Sequence, residues 1–214
     1  MKRNIIFDMD GVIFDTERFF LQCCVPAAES LGMQGMEEVA LKCIGLTEEE
    51  TARVVVSHYG EEAPLEEYRE ETFRIFREKY EKEGLPLKPG AEEILRWLAE
   101  DGSRIALASS TKTEIVRMEL KDAGLIGYFH VIVGGDQAER SKPAPDIFLK
   151  AAEELGAEPK QCFVIEDSFN GVRAANAAGM RVLMVPDLLE PDEEICGLTE
   201  GVFGSLHEVR AYLE

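Results

Sequence analysis

Asp8 and Asp10 stand one residue apart near the start of the chain and are followed by Gly11. Far downstream come a hydroxyl run, Ser109-Ser110-Thr111 with Lys112 behind it, a lysine in a proline-rich loop, Lys142, and a second acidic pair, Glu166-Asp167. Together these types could move a phosphoryl group. A phosphate ester is an anion that repels an anionic nucleophile, so charge must be neutralised before attack. Asp8 could attack phosphorus and form an aspartyl-phosphate, splitting one difficult step into two. Asp10 could protonate the leaving oxygen and then activate water, a role worth about 10²–10⁴-fold in rate. Ser109 and the N–H groups after it could hold a phosphate oxygen, while Lys142 could neutralise Asp8 and the transferring group. Mg²⁺ takes oxygen ligands and keeps several waters, which suits a few carboxylates plus a substrate phosphate.

Taken singly, each residue has an ordinary explanation. An Asp-x-Asp triplet arises by chance about 0.5 times in a chain of this composition. A calcium-binding EF-hand loop is excluded, because Gly11 comes too early and loop position 12 is not Glu. Ser109 after a strand could be a helix cap. Lys142 could be a solvated lysine. Glu166-Asp167 could serve the dipole of a following helix. The weight comes from their order along the chain and from the elements that must carry them.

Those elements can be read from the apolar pattern. Asn4 to Phe7 is an apolar run that stops at Asp8, a buried strand. From Thr16 to about Leu85 the pattern is helical. Thr16 can cap a helix ending at Gly32, and Thr47 with three glutamates opens another toward His58. Leu65, Tyr68, Phe73, Phe76 and Tyr80 recur at helical spacing between Pro64 and Gly84. Two prolines and a glycine in 85–90 mark a hinge. Beyond it helices alternate with strands at Arg104–Ala108, Val131–Val133, Cys162–Ile165 and Arg181–Val185. The intervening helices span Glu92–Asp101, Lys112–Ala123, Asp146–Leu155 and Val172–Ala178, and a terminal helix covers Ser205–Glu214. Alternation of this kind implies right-handed crossovers and a parallel sheet. The expected fold is α/β, a Rossmann-like doubly wound parallel sheet with an inserted all-helical cap. The core is expected at 1–15 and 86–214 and the cap at 16–85. Ligands of such sheets bind beyond the carboxyl ends of the strands, which is where the polar residues named above fall.

The stretch Asp8-Met9-Asp10-Gly11-Val12-Ile13-Phe14-Asp15-Thr16 resembles the first motif of the haloacid dehalogenase superfamily. Ser109 matches its second motif, Lys142 in Ser-Lys-Pro-Ala-Pro-Asp its third, and Glu166-Asp167-Ser168 its fourth. The resemblance runs over nearly the whole chain, and the helical insertion resembles the cap of the β-phosphoglucomutase-like branch. It implies catalysis by Asp8, Asp10, Ser109 and Lys142. It also implies Mg²⁺ on Asp8, on the Asp10 backbone carbonyl and on Asp167, with Glu166 as a nearer or outer-shell ligand. An aspartate at position 10 points to phosphatases and phosphomutases. Dehalogenating members lack it, since no leaving alcohol needs a proton, and P-type ATPase relatives carry Thr there.

Two reactions stay open. One is that of a phosphoric monoester hydrolase acting on a sugar or polyol phosphate. The other is that of a β-phosphoglucomutase-like isomerase, which must exclude water and grip a sugar bisphosphate. Such mutases carry a His on the first cap helix and a Lys and an Arg flanking a Gly-x-Ser/Thr loop. Here Phe20, Ile44 and Glu48 take those places around Gly45-Leu46-Thr47, which favours the hydrolase. Phe20, Ile44, Thr47 and Glu48 are the candidates for facing the leaving group. Ser110 and Lys112 are candidates for the substrate phosphate. An apolar and acidic lining suits a neutral polyol or sugar better than a second phosphate. A third possibility is a non-catalytic binding or regulatory protein on the same fold, but no nucleophile, acid or lysine is missing.

The formal net charge of −19 argues against nucleic acid and anionic membrane as partners, while leaving a small phosphorylated metabolite open. Five cysteines without a CxxC argue against a disulfide framework or a zinc site and fit a reducing cytosol. The apolar run before Asp8 is too short for a signal peptide, and no other run could span a bilayer. A cytoplasmic monomer is expected.

Overall fold

The computed structural model describes residues 2–43 and 48–214. In chain order the elements are β1 (Asn4–Phe7), α1 (Thr16–Ser30), α2 (Met36–Lys42), α3 (Glu48–Tyr59), α4 (Leu65–Glu83), α5 (Ala91–Glu100), β2 (Arg104–Ala108), α6 (Thr113–Asp122), β3 (Val131–Val133), α7 (Asp146–Leu155), β4 (Cys162–Glu166), α8 (Phe169–Ala177), β5 (Arg181–Met184), α9 (Glu193–Leu198), β6 (Gly201–Val202) and α10 (Leu206–Leu213). The chain divides into two units, Met1–Asp15 with Leu87–Glu214 and Thr16–Pro86.

In the first unit the central strands are short apolar runs with successive buried side chains, as in Ile5, Ile6 and Phe7. Successive side chains point to opposite faces, so such a run demands cover on both. The strands form one six-stranded parallel sheet in the order β3-β2-β1-β4-β5-β6. β1 pairs with β2 through Phe7↔Leu107 and with β4 through Phe7↔Ile165. Strand order therefore reverses at β1, and the loops leaving β1, β2 and β4 emerge side by side. One core gathers Ile6, Ala106 and Val164 with Phe148 and Ala151 of α7 and Val172 of α8. Phe148 is fully buried. Truncating a buried Phe to Ala costs about 3–5 kcal/mol, so this side chain is one point at which the α7 layer would fail. α5 packs on β2, and α10 on α5.

The segment after β5 departs from the sequence expectation. α9 follows, and β6 adds to the sheet edge through Leu183↔Gly201 and Met184↔Val202. A strand of two residues has no alternation to read. α8 begins at Phe169 rather than at Val172, because Ser168 caps it by accepting a hydrogen bond from the Gly171 N–H at 3.1 Å.

In the second unit α1 packs on α4 and α2 around Cys24, Ala28, Met36, Val39 and Val55. Two details correct the sequence expectation. Thr16 does not cap α1 but is its first residue, and its Oγ1 is buried with no hydrogen-bond partner. A capping residue flanks the helix and turns its side-chain oxygen to a backbone N–H of the first turn, which the unpartnered Thr16 Oγ1 does not do. Phe73 is 53% exposed, whereas its neighbour Thr72 is buried. The inward stripe of α4 thus runs Tyr68, Thr72, Phe76, Tyr80 at four-residue steps, one position away from Phe73. The expected opening of a helix by Thr47 lies outside the described residues.

Candidate active site

The loop after β1 is a tight turn built on backbone hydrogen bonds. Ile13 N–H donates to the Met9 carbonyl at 2.8 Å, and Gly11 N–H to the Phe14 carbonyl at 2.9 Å. Asp8 is tied to the neighbouring strand by its N–H on the Ile165 carbonyl at 2.9 Å. Gly11 has φ +78°, and a Cβ there would overlap the Asp167 carboxylate. Glycine is needed twice over, for the left-handed backbone and for the approach of the acid. The turn thereby brings the loop of β1 against the loop of β4.

Lys142 joins these two loops. Its Nζ lies 2.5 Å from Asp8 Oδ1 and 2.7 Å from Glu166 Oε1, and it sits 4.9 Å from the centre of the Phe148 ring. Glu166 is fully buried. Its Oε2 accepts from the N–H of Asp167 at 2.8 Å, the N–H of Ser168 at 2.8 Å and the Ser168 hydroxyl at 3.0 Å. That oxygen is saturated, so Oε1 is the one turned to the shared centre.

One buried ammonium faces three carboxylates. Burial pushes the Asp8 carboxyl up to about 8, against the pull of Lys142 and helped by Glu166 and Asp10. The Asp167 carboxyl is raised well above its ordinary value by burial first, then by Glu166 and Asp8. Burial alone would lower the Lys142 ammonium, but Asp8 and Glu166 outweigh it and hold it above its usual range. The cluster is therefore short of positive charge. Oxygens of Asp8, Glu166 and Asp167 lie within 4.8 Å of one another, and such a hard-oxygen set fits a divalent cation.

On the other side of the turn, Asp10 Oδ2 accepts from the Thr111 hydroxyl at 3.0 Å and from the Ser109 hydroxyl at 3.3 Å. The Ser109 oxygen also accepts from the Thr111 N–H at 3.0 Å. The loop after β2 thus fixes Asp10 at the start of α6.

The structure brings together Asp8, Lys142, Glu166 and Asp167, and it joins Asp10 to the fully buried Ser109. Ser110 and Lys112 are exposed on the same loop. Phe20 lies in the second unit on α1, 39% exposed, with its ring 6.4 Å from Phe73 and 6.3 Å from Phe76. Glu48 is the first residue of α3, and Ile44 and Thr47 lie outside the described residues. The sequence reading names Thr111 in the hydroxyl run and Ser168 in the fourth motif, but gives neither a role of its own. One participant, Gly171, escaped it altogether, since a Cβ there would overlap the Glu166 carboxylate only after folding.

Residues 5–185 match the family model described as haloacid dehalogenase-like hydrolase. The chain is 40% identical over 196 residues to "Probable pseudouridine-5'-phosphatase" of Drosophila melanogaster, covering 86% of this chain and 81% of the relative. It is 34% identical over 180 residues to the phosphorylated carbohydrates phosphatase of Thermotoga maritima, covering 82% and 81%. Among solved structures it is similar to a HAD family hydrolase from Deinococcus radiodurans R1 with bound phosphate and sodium. The TM-score is 0.84 at 27% identity, over 99% of this chain and 95% of that one. Among the described residues no helix is long and apolar enough to cross a membrane.

Proposed function

The chain belongs to the haloacid dehalogenase-like hydrolases, and we propose that it is a Mg²⁺-dependent phosphatase acting on a small phosphorylated metabolite, a sugar or polyol phosphate. The observation that carries this reading is Lys142 held on Asp8 at 2.5 Å and on Glu166 at 2.7 Å inside a cluster of buried carboxylates. Asp8, Glu166 and Asp167, with the Asp10 carbonyl, would hold the cation, which when bound supplies positive charge for the phosphate oxygens.

Asp8 is the proposed nucleophile. Its oxygen forms a bond to phosphorus as the bond from phosphorus to the leaving oxygen breaks, and Lys142 keeps the carboxylate directed and neutralised. Asp10, held by Thr111 and Ser109, gives its proton to the leaving oxygen. The Asp10 carboxylate then takes a proton from water, the hydroxide attacks phosphorus, and phosphate departs to restore Asp8. Both relatives are named phosphatases, one for a pseudouridine 5′-phosphate and one for phosphorylated carbohydrates, and this supports release to water over return to the substrate. The reading puts the enzyme in the cytoplasm as a monomer.

Phosphate release from a panel of sugar, polyol and nucleoside monophosphates tests the reading, run with Mg²⁺, with EDTA and with Asp8→Asn. Release that needs both Mg²⁺ and Asp8 is expected. Conversion of glucose 1-phosphate to glucose 6-phosphate with a bisphosphate primer, and no free phosphate, would make the protein a mutase instead. Silence in every assay would favour a binding role.

A further inference from the structure

A second shielded ammonium stands in the first unit. Lys88 follows Leu87, where the chain re-enters that unit. Its side chain is 12% exposed, and Nζ lies 2.6 Å from Asp187 Oδ1, on a side chain 2% exposed. Asp15, the last residue before the chain leaves for the second unit, has its Oδ1 3.9 Å from the same Nζ. The backbone strengthens the junction, with Lys88 N–H donating to the Ile13 carbonyl at 2.8 Å and Leu87 bridging Phe14 antiparallel. Asp187 follows β5 by a short loop, at whose start Val185 N–H donates to the Glu166 carbonyl at 2.8 Å. Lys88 thus ties together the loop that carries Asp8 and Asp10, the re-entry segment, and the loop beside Glu166. Charges buried this deeply are costly unless paired, so the pairing is specified by the fold.

We propose that Lys88 is a positioning residue for the cation site: it holds Asp187 in an ion pair and so keeps a fourth carboxylate from adding its charge to Asp8, Glu166 and Asp167. The identity of the cation as Mg²⁺ rests on the phosphatase reading above. Asp187 stands two residues past Val185, whose N–H is bonded to the Glu166 carbonyl, so the loop that carries it is fastened to the strand end that bears the site.

Removing either partner shifts cation affinity in opposite directions, and removing both restores it. The test is titration calorimetry of Mg²⁺ into the full chain without substrate, with circular dichroism to confirm folding. Lys88→Met binds Mg²⁺ about tenfold more tightly and Asp187→Asn about tenfold more weakly, while the double variant returns to within about twofold of the unchanged protein. If Lys88→Met does not fold, Asp187→Asn and the double variant still decide. A merely structural pair would lower the unfolding temperature without moving Mg²⁺ affinity in either direction. Asp187→Asn and the double variant both binding Mg²⁺ like the unchanged protein would overturn this inference alone. An unchanged protein that binds no Mg²⁺ would overturn the metal-dependent reading together with it.

Discussion

Glu166 rests on the backbone of Gly171, with its carboxylate filling the space that a Cβ would take. Gly171 N–H meanwhile donates to the Ser168 hydroxyl at 3.1 Å, and that hydroxyl donates to Glu166 Oε2 at 3.0 Å. The first turn of α8 is thus folded around the acid, and this leaves Glu166 Oε1 facing Lys142.

Gly171→Ala displaces Glu166 and, with it, Lys142. The expected cost is about 1–3 kcal/mol of stability, as for overpacking a tight site. Phosphate release falls at least about tenfold, since the loss includes one of the two carboxylate partners that orient the lysine. Denaturant unfolding and steady-state assays check both. Wild-type turnover in the alanine variant would mean that Glu166 can move without consequence.

Lys142→Met removes the one ammonium among three carboxylates and lowers kcat by about 10²–10³-fold. Lys142→Arg does not restore it, because a planar fork cannot occupy the point where one Nζ meets both Asp8 and Glu166. Full rescue by arginine in kinetic assays would show that bulk charge, rather than the position of the ammonium, is what matters.

Thr111→Val keeps the shape and removes the 3.0 Å hydrogen bond to Asp10. A hydrogen bond between uncharged groups is worth about 0.5–1.5 kcal/mol, so kcat on an alkyl phosphate drops by about two- to tenfold. The drop is smaller for p-nitrophenyl phosphate, whose leaving group departs without a proton. Equal losses on the two esters would detach Thr111 from the proton transfer.

The pH dependence of stability follows from Asp8, raised from 3.8 to about 8, first by burial. The fold holds this proton to higher pH than the unfolded chain does. The contribution of the group is therefore complete below the lower value and lost as pH rises through the upper one. Mg²⁺ competes with protons for the same oxygens. Its rise in unfolding temperature is accordingly larger at pH about 8 than at pH about 5. An equal rise at both, measured by thermal unfolding, would mean that the carboxylates are ionised throughout.

Much of the sheet was legible because each strand from β1 to β5 is an apolar run bounded by polar or glycine residues. Asp8, Asp10, Lys142, Glu166 and Asp167 were legible through their order on those runs. What escaped depends on close approach across the fold. Lys88 pairs with a residue far away in sequence, Gly171 is needed only once the first turn of α8 has closed on Glu166, and β6 exists only by pairing with β5. Phe73 satisfied helical spacing by count alone, but the four-residue stripe through Thr72 passed it by.

The central claim is that Asp8 carries the phosphoryl group between substrate and water. Asp10→Asn with p-nitrophenyl phosphate isolates that step, because the nitrophenolate leaves without a proton while water activation is lost. The measurement is rapid-mixing release of nitrophenolate, followed by mass analysis of the peptide that bears Asp8. A burst of about one equivalent per chain, with a phosphoryl group on that peptide, is the predicted result. A linear trace without a burst, and an unmodified peptide, would contradict it.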